Sequence, residues 1–97
     1  MTDSLRKTDR AGRLGGEEFA ILLPGTHADA AQAFAERLRS SVEALPIAFE
    51  NLTLCITVSI GVTGLGPEDV ESTLKRGDRA LYLAKASGRN RVELLLP

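Results

Sequence analysis

The fold is decided around one stretch of sequence, Arg13-Leu14-Gly15-Gly16-Glu17-Glu18-Phe19. Adjacent glycines favour a tight turn, because glycine adopts positive φ without a steric penalty. A polar, basic segment precedes the glycines and is expected to end as a short strand. The apolar run from Phe19 to Leu23 follows them and ends at Pro24-Gly25. Two extended segments joined through two glycines predict a β-hairpin with the glycines at its turn.

The same stretch carries groups that could bind a phosphate and a metal ion. Gly15 and Gly16 leave backbone N–H groups open to close approach by a phosphate. Glu17 and Glu18 place two carboxylates at the tip of the turn, and hard oxygen ligands of this kind suit Mg²⁺. The residues alone leave a second interpretation open, a plain hairpin with a solvated acidic tip. No lysine follows the glycines, so the turn is not a Walker A loop.

Two amphipathic helices are predicted downstream of the hairpin. The first is capped by Thr26 and stopped by Pro46, and the second opens at Pro67 and ends near Gly88. Apolar residues at helical spacing define the face that each helix is expected to bury. In the first helix these are Ala31, Phe34, Ala35, Leu38, Val42 and Leu45, and in the second they are Val70, Leu74, Leu81 and Ala84.

The clearest predicted strand runs from Leu52 to Thr63, where apolar residues alternate with polar or small ones without a break. A short terminal strand is predicted from Arg91 to Leu96. The element order is therefore β-β-α-β-α-β, which indicates an α+β fold with helices packed on a mixed β-sheet. Four strands and two helices leave little material to cover both faces of such a sheet. The chain is therefore interpreted as a piece of a larger domain.

Composition limits the classes of function and the compartment. The net charge is −1, from 12 Lys and Arg against 13 Asp and Glu, so no general basic field favours a nucleic acid polymer. The single cysteine, Cys55, cannot form an internal disulfide, which fits a reducing cytoplasm. No apolar run approaches the ~20 residues of a membrane helix, so no membrane contact by this chain is expected. A longer parent protein could still carry a membrane anchor.

Two further charged clusters could bind a nucleotide. Lys85 lies in the last turn of the second helix and Arg89 just beyond it, where two cations could grip a phosphate chain. Compensation of the helix dipole is the simpler interpretation of cations at that end. Near the N-terminus, Arg6 and Asp9 could together bind the edge of a guanine, although a solvated charge run is the simpler interpretation of those residues.

Four motifs, taken together and in order, resemble the GGDEF domain of diguanylate cyclases. The likeness extends from about Leu5 to Val92. The motifs are Arg6-x-x-Asp9, Gly15-Gly16-Glu17-Glu18-Phe19, Ser59-Ile60-Gly61-Val62, and Asp78-x-Ala80-Leu81-Tyr82-x-Ala84-Lys85-x-x-Gly88-Arg89-Asn90-Arg91.

The resemblance implies an enzyme that condenses two GTP molecules to cyclic di-GMP and two pyrophosphates with Mg²⁺ or Mn²⁺. Two domains face each other as a homodimer, and each presents one GTP. By the same resemblance, Glu17 binds the metal and acts as base or orienter for the attacking 3′-hydroxyl, and Glu18 is a second acidic residue at the turn. Gly15 and Gly16 let the nucleotide lie against the hairpin.

The resemblance also assigns the remaining charged residues. Lys85 and Arg89 would hold the β- and γ-phosphates of GTP. Arg6 and Asp9 match an inhibitory site at which the product, cyclic di-GMP, binds, and Arg37 is the counterpart by spacing of a helix arginine that assists there.

One departure from the family pattern shapes the expected activity. The family domain begins upstream with a helix and a central strand that carry an aspartate metal ligand and the residues that recognise guanine. Residues 1–97 therefore resemble the C-terminal part of a GGDEF domain, with a nucleotidyl-cyclase-like, ferredoxin-like palm that lacks its central strand. The chain alone is expected to be inactive, and its exposed sheet edge is expected to cause self-association or marginal stability. The alternative is a non-catalytic module that binds cyclic di-GMP.

Overall fold

The computed structural model describes residues 10–15 and 18–22 at the level of the backbone, and residues 26–97 with their side chains. The elements within these ranges follow the order β-β-α-β-β-β-α-β. They are β1 (Arg10–Gly15), β2 (Glu18–Leu22), α1 (Ala28–Glu43), β3 (Ile47–Phe49), β4 (Leu52–Leu54), β5 (Ile60–Thr63), α2 (Val70–Ala86) and β6 (Val92–Leu95). The described strands pair as β1 with β2, β3 with β4, and β5 with β6.

The predicted N-terminal hairpin is confirmed. Strands β1 and β2 are antiparallel, and their register runs from Arg10 opposite Leu22 to Arg13 opposite Phe19. The register shifts between Arg13 and Gly15, so that Gly15 lies opposite Glu18. Gly16 and Glu17, which lie between the two strands in the sequence, are outside the described residues, so the predicted turn itself stays a prediction.

The prediction of one strand from Leu52 to Thr63 is wrong, because two separate strands occupy the ends of this segment. Strand β4 pairs antiparallel with β3, which the sequence pattern did not indicate, and β5 pairs in parallel with β6. Unbroken alternation favours extended backbone but does not say which part finds a partner. Leu52 is 61% exposed and Ile56 is 50% exposed, whereas Val62 in β5 is buried. Only the segment beneath the helices belongs to the core.

Strand β5 makes an unusually close contact with helix α2 at Gly61. A Cβ atom added to Gly61 would lie 2.5 Å from the Gly77 carbonyl oxygen and 2.9 Å from the Ala80 carbonyl carbon, and would also meet the Leu81 backbone nitrogen. Such separations are far below van der Waals contact, so only glycine fits here. The helix backbone therefore rests almost directly on the strand.

This close contact explains why the predicted buried face of α2 is partly wrong. The buried residues of the helix are Thr73, Ala80 and Ala84, whereas Val70 is 68% exposed and Leu74 is 46% exposed. Larger side chains on the contact face would hold the helix away from Gly61. The small residues therefore face the sheet. The face predicted from hydrophobicity is rotated about the helix axis relative to the face that is buried.

Helix α1 follows its prediction more closely, although its ends differ. Ala35 is its buried residue, as expected, but Leu45 lies beyond the helix end and is exposed. The helix begins at Ala28 with His27 as N-cap, one residue later than the predicted cap, Thr26. Within the side chains described, that of His27 makes no capping hydrogen bond, and the Ala31 backbone N–H donates to the His27 carbonyl at 2.9 Å.

The loop before α2 is held by a charged cluster around Arg76. Its Nε donates to Thr63 Oγ1 at 2.6 Å, its Nη2 donates to the Gly64 carbonyl at 2.7 Å, and its Nη1 pairs with Glu68. The pKa of Glu68 is lowered by a hydrogen bond from the Glu68 backbone N–H and by another from Arg76.

Helix α2 starts after Asp69 and not at the predicted Pro67. The Asp69 carboxylate caps the helix by accepting from the Ser72 backbone N–H at 2.9 Å.

Candidate phosphate-binding site

Helix α2 ends in a tight, fully hydrogen-bonded turn that presents two cations. The Arg89 backbone N–H donates to the Ala84 carbonyl at 2.9 Å, and the Gly88 N–H donates to the Lys85 carbonyl at 3.5 Å. This pair of bonds is the Schellman pattern, which requires positive φ at the residue after the cap. Gly88 supplies it with φ of 121°. The predicted role of Gly88 at the helix end is confirmed.

The backbone stays in the left-handed region beyond Gly88. Arg89 has φ of 60° and Asn90 has φ of 46°, a conformation uncommon for residues other than glycine. The chain then re-enters the sheet, where the Arg91 carbonyl accepts from the Ile60 N–H at 2.9 Å. Strain of this kind persists only where the surroundings fix it, so the conformation of Arg89 is imposed by its neighbours.

The surroundings that fix this turn come from helix α1 and from the segment before β5. Arg39 Nη1 donates to Asn90 Oδ1 at 2.8 Å, and Asn90 Nδ2 donates to Glu43 Oε2 at 2.5 Å. The Asn90 backbone N–H donates to Ser59 Oγ at 3.1 Å. Three groups from two distant parts of the chain thus hold Asn90.

Arg39 is itself held within α1 by two carboxylates. Its Nε donates to Glu36 Oε1 at 2.9 Å, and its Nη1 lies 3.3 Å from Glu43 Oε1. The hydrogen bond to Glu36 is the main cause of a raised pKa of Arg39, and the same bond lowers the pKa of Glu36. The Arg39 side chain is only 15% exposed, and its contacts with Glu36 and Glu43 orient the guanidinium as a donor to Asn90.

Lys85 and Arg89 are brought to one end of α2, as predicted. Lys85 is half-buried and Arg89 is exposed. The C-terminal end of a helix carries partial negative charge, so an anion there must be bound by cationic side chains rather than by helix N–H groups. Two cations on a rigid turn meet that requirement and could bind neighbouring phosphates of one chain.

The second predicted part of the site lies at the β1–β2 turn. Gly15 is the last residue of β1 and Glu18 the first of β2, on either side of the turn. Gly16 and Glu17 lie outside the described residues, so the predicted metal-binding role of Glu17 stays a prediction. Among residues that the structure describes, no group of three His, Cys, Asp or Glu is close enough to hold a metal ion.

Arg37 lies on the exposed side of α1, away from the Arg39 cluster. Its guanidinium carbon is 6.0 Å from the centre of the Phe34 ring, within the range of a cation–π contact. Together with Leu38 and Ser41 these residues line an open groove of about 320 Å³. Arg6 and Asp9, predicted to act with Arg37, lie outside the described residues.

Comparison with known proteins identifies the family. The protein-family model for the diguanylate cyclase GGDEF domain matches residues 1–91 of the chain. The chain belongs to the GGDEF domain family. This GGDEF chain is 45% identical over 91 residues to diguanylate cyclase DgcP of Pseudomonas aeruginosa, and covers 14% of that protein. It is 46% identical over 91 residues to diguanylate cyclase A of Treponema denticola, and covers 24% of it. These alignments include 93% and 92% of the chain.

Solved structures show the same fold. The GGDEF domain of DgcB from Caulobacter crescentus, in complex with cyclic di-GMP, matches with a TM-score of 0.90 and 34% identity over 95% of this chain and 56% of that one. Diguanylate cyclase SiaD of Pseudomonas aeruginosa, in complex with its activator SiaC, matches with a TM-score of 0.87 and 40% identity over 96% of this chain and 36% of that one. The predicted nucleotidyl-cyclase-like fold is confirmed. No helix within the described ranges could cross a membrane.

The Arg39–Glu43–Asn90 cluster was not predicted from the sequence of this GGDEF chain. Spacings of three and four residues among Glu36, Arg39 and Glu43 do signal ion pairs along one helix. Nothing in the sequence pattern signals that Arg39 also binds Asn90, which lies 51 residues away. Only the three-dimensional packing of α1 against β5 and β6, beside the turn that contains Asn90, reveals it.

Proposed function

We propose that this GGDEF chain is part of a diguanylate cyclase that condenses two GTP molecules to cyclic di-GMP. The observation that carries the proposal is the hydrogen-bonded turn at the end of α2, with Lys85 in the last helical turn and Arg89 just beyond it. In this function the two side chains hold the β- and γ-phosphates of GTP. Binding by a preorganised turn avoids the cost of ordering the cations when the nucleotide arrives.

Each of the two condensation steps forms one bond and breaks one bond. The 3′-hydroxyl of one GTP attacks the α-phosphorus of the other, the bond to the bridging oxygen breaks, and pyrophosphate leaves while the hydroxyl proton passes to a base. Glu17 would accept or orient that proton. Lys85 and Arg89 would stabilise the charge on the leaving pyrophosphate, which is how positioned cations assist phosphoryl transfer.

Mg²⁺ fits the donor types at the β1–β2 turn but requires more ligands than the chain supplies there. Glu17 and Glu18 offer the hard carboxylate oxygens that Mg²⁺ prefers. When bound, the ion would neutralise charge on the phosphates. Further ligands would come from other parts of the natural protein, and a homodimer with one GTP in each domain would bring the two nucleotides together. GTP as substrate places this chemistry in the cytoplasm.

The first test compares product formation by the isolated chain with product formation by the natural protein that contains it. The chain spans 14% and 24% of the lengths of two curated relatives, so the proposed activity is that of the natural protein that contains it. With GTP and Mg²⁺, the natural protein is expected to produce cyclic di-GMP in a chromatographic assay, whereas the isolated chain is expected to produce none. Circular dichroism of the isolated chain provides the control for folding.

Either half of this expectation can fail separately. Turnover by the isolated chain would show that its own residues complete the metal site. A natural protein that makes no product, while binding GTP and remaining folded, would contradict the proposed catalytic function.

A second candidate function, binding of cyclic di-GMP without catalysis, is favoured by a separate observation. The matched DgcB domain was solved in complex with cyclic di-GMP, and Arg37 here lines an accessible groove beside Phe34. We propose that Arg6, Asp9 and Arg37 form the corresponding site. In a catalytic protein the same site would provide product inhibition.

Calorimetry with cyclic di-GMP tests this site directly. Arg6→Ala is expected to weaken binding by roughly 10- to 100-fold, because a hydrogen bond that involves one charged group contributes about 1.5–3 kcal/mol. Lys7→Ala, which removes the neighbouring cation, is the matched control and is expected to bind like the unaltered chain. Equal affinity of Arg6→Ala and Lys7→Ala would exclude the assignment, and absence of binding to the folded natural protein would end the second candidate.

A further inference from the structure

The cluster around Asn90 joins three parts of the chain at the proposed phosphate-binding turn. Arg39 and Glu43 come from α1, Ser59 precedes β5, and Asn90 lies between α2 and β6. The contacts bridge sequence separations of 51, 47 and 31 residues. None of these four side chains has a role in the proposed condensation.

The hydrogen bonds at Asn90 have a defined polarity. The amide oxygen accepts from the Arg39 guanidinium, and the amide nitrogen donates to the Glu43 carboxylate. Among side chains of this length only asparagine offers one acceptor and one donor at the same time. Asparagine also tolerates the left-handed backbone at φ of 46° better than most residues. The residue therefore satisfies two separate demands at one position.

We propose that Asn90 is a positioning residue for phosphate binding. The Arg39–Glu43–Asn90 cluster fixes the left-handed backbone of Arg89 and thereby the point from which its guanidinium reaches the phosphates. This inference rests on the proposed function of Lys85 and Arg89. It adds that α1, which contributes no phosphate ligand in that proposal, determines how well the turn binds a phosphate chain.

A purely stabilising role for the cluster would have a different signature. If the hydrogen bonds only added stability, their loss would lower the melting temperature and leave the affinity of the folded protein unchanged. If they position Arg89, their loss raises the dissociation constant for a phosphate chain even where the protein is fully folded. A small displacement of the Arg89 guanidinium is enough, because a hydrogen bond to a phosphate weakens steeply as its distance and angle depart from the ideal.

The test uses Asn90→Asp in the natural protein, with inorganic tripolyphosphate as the probe and KM for GTP as a second readout. Aspartate keeps the size and the tolerance for left-handed backbone but places a carboxylate against Glu43. We expect the dissociation constant for tripolyphosphate and the KM for GTP each to rise by about 10-fold. The exposed Asn51→Asp makes the same chemical change in the turn between β3 and β4 and is expected to change neither value.

The double variant Asn90→Asp with Glu43→Gln restores the network with its polarity reversed. The new carboxylate accepts from Arg39 and from the glutamine amide, and the total charge of the cluster is unchanged. Recovery of both constants to within about threefold of the unaltered protein is expected, as for two residues that interact directly. A dissociation constant that Asn90→Asp leaves unchanged, or that the double variant fails to recover, overturns the inference.

The two proposals fail in distinguishable ways. If the natural protein makes no cyclic di-GMP but tripolyphosphate binding follows the expected pattern, the positioning role stands and the catalytic proposal fails. If product forms normally and Asn90→Asp matches Asn51→Asp, the positioning role fails alone. Absence of tripolyphosphate binding to the unaltered protein removes the phosphate site and overturns the inference.

Discussion

Gly61→Ala is expected to lower the free energy of unfolding by about 3 kcal/mol, the upper part of the range for an overpacked core. The added Cβ would lie 2.5 Å from the Gly77 carbonyl oxygen and 2.9 Å from the Ala80 carbonyl carbon. Both are backbone atoms of α2, so no side chain can rotate away to make room. The helix would have to move off β5, which would open the contact between α2 and the strand along its length.

Gly77→Ala provides the matched control, because it adds the same methyl group to the other side of the same contact. Its Cβ would lie 3.6 Å from Thr63 Cγ2, an ordinary van der Waals distance. Alanine also favours the helix over glycine by up to about 1 kcal/mol, so this variant is expected to be as stable as the unaltered protein or more so. Urea unfolding of both variants provides the comparison. Equal stability of Gly61→Ala and Gly77→Ala would contradict the packing described here.

The fold could be predicted where local sequence rules and packing agree. Glycines at the turn, the proline after α1 and Gly88 after α2 each report a backbone requirement that acts locally. These signals located the hairpin and the end of each helix to within a few residues. The terminal strand was also placed correctly, since β6 at Val92–Leu95 lies inside the predicted range.

The predictions failed where a distant contact decides the outcome. Leu52 and Val62 follow the same alternating pattern, yet only Val62 is buried, because only β5 lies beneath the helices. In α2 the close approach at Gly61 selects Thr73, Ala80 and Ala84 for the contact face in preference to larger residues. Hydrophobicity alone favours large side chains, so it cannot identify a contact face that is formed by small residues.

The candidate site shows the same division. The spacing of Lys85 and Arg89 across a recognisable helix end places both residues correctly, but only the family resemblance suggests a phosphate ligand for them. The groups that hold this end, Arg39 and Glu43, lie on another helix and have ordinary surface spacing. A sequence pattern therefore identifies the residues at a helix end more readily than the distant residues that bind to that end.

Arg89→Asn in the natural protein is expected to lower kcat/KM for GTP by roughly 10- to 100-fold, the loss of a charged hydrogen bond worth about 1.5–3 kcal/mol. Asparagine removes the cation but tolerates the left-handed backbone at φ of 60°, so the turn should stay folded. Loss of a contact to the β- or γ-phosphate weakens ground-state binding and stabilisation of the departing pyrophosphate together. KM should therefore rise and kcat fall.

Lys75→Ala separates a specific phosphate contact from a general loss of positive charge. Lys75 is another cation of α2, 78% exposed and 3.7 Å from Glu71, and an exposed ion pair of this kind contributes little to stability. The two variants change the net charge equally, so a long-range electrostatic effect on GTP would affect both. Only a direct contact between Arg89 and the phosphates predicts a large loss of kcat/KM for Arg89→Asn and no loss for Lys75→Ala. Equal losses of kcat/KM in the two variants would mean that the positive charge of the turn attracts GTP at long range, without direct contact to the phosphates of GTP.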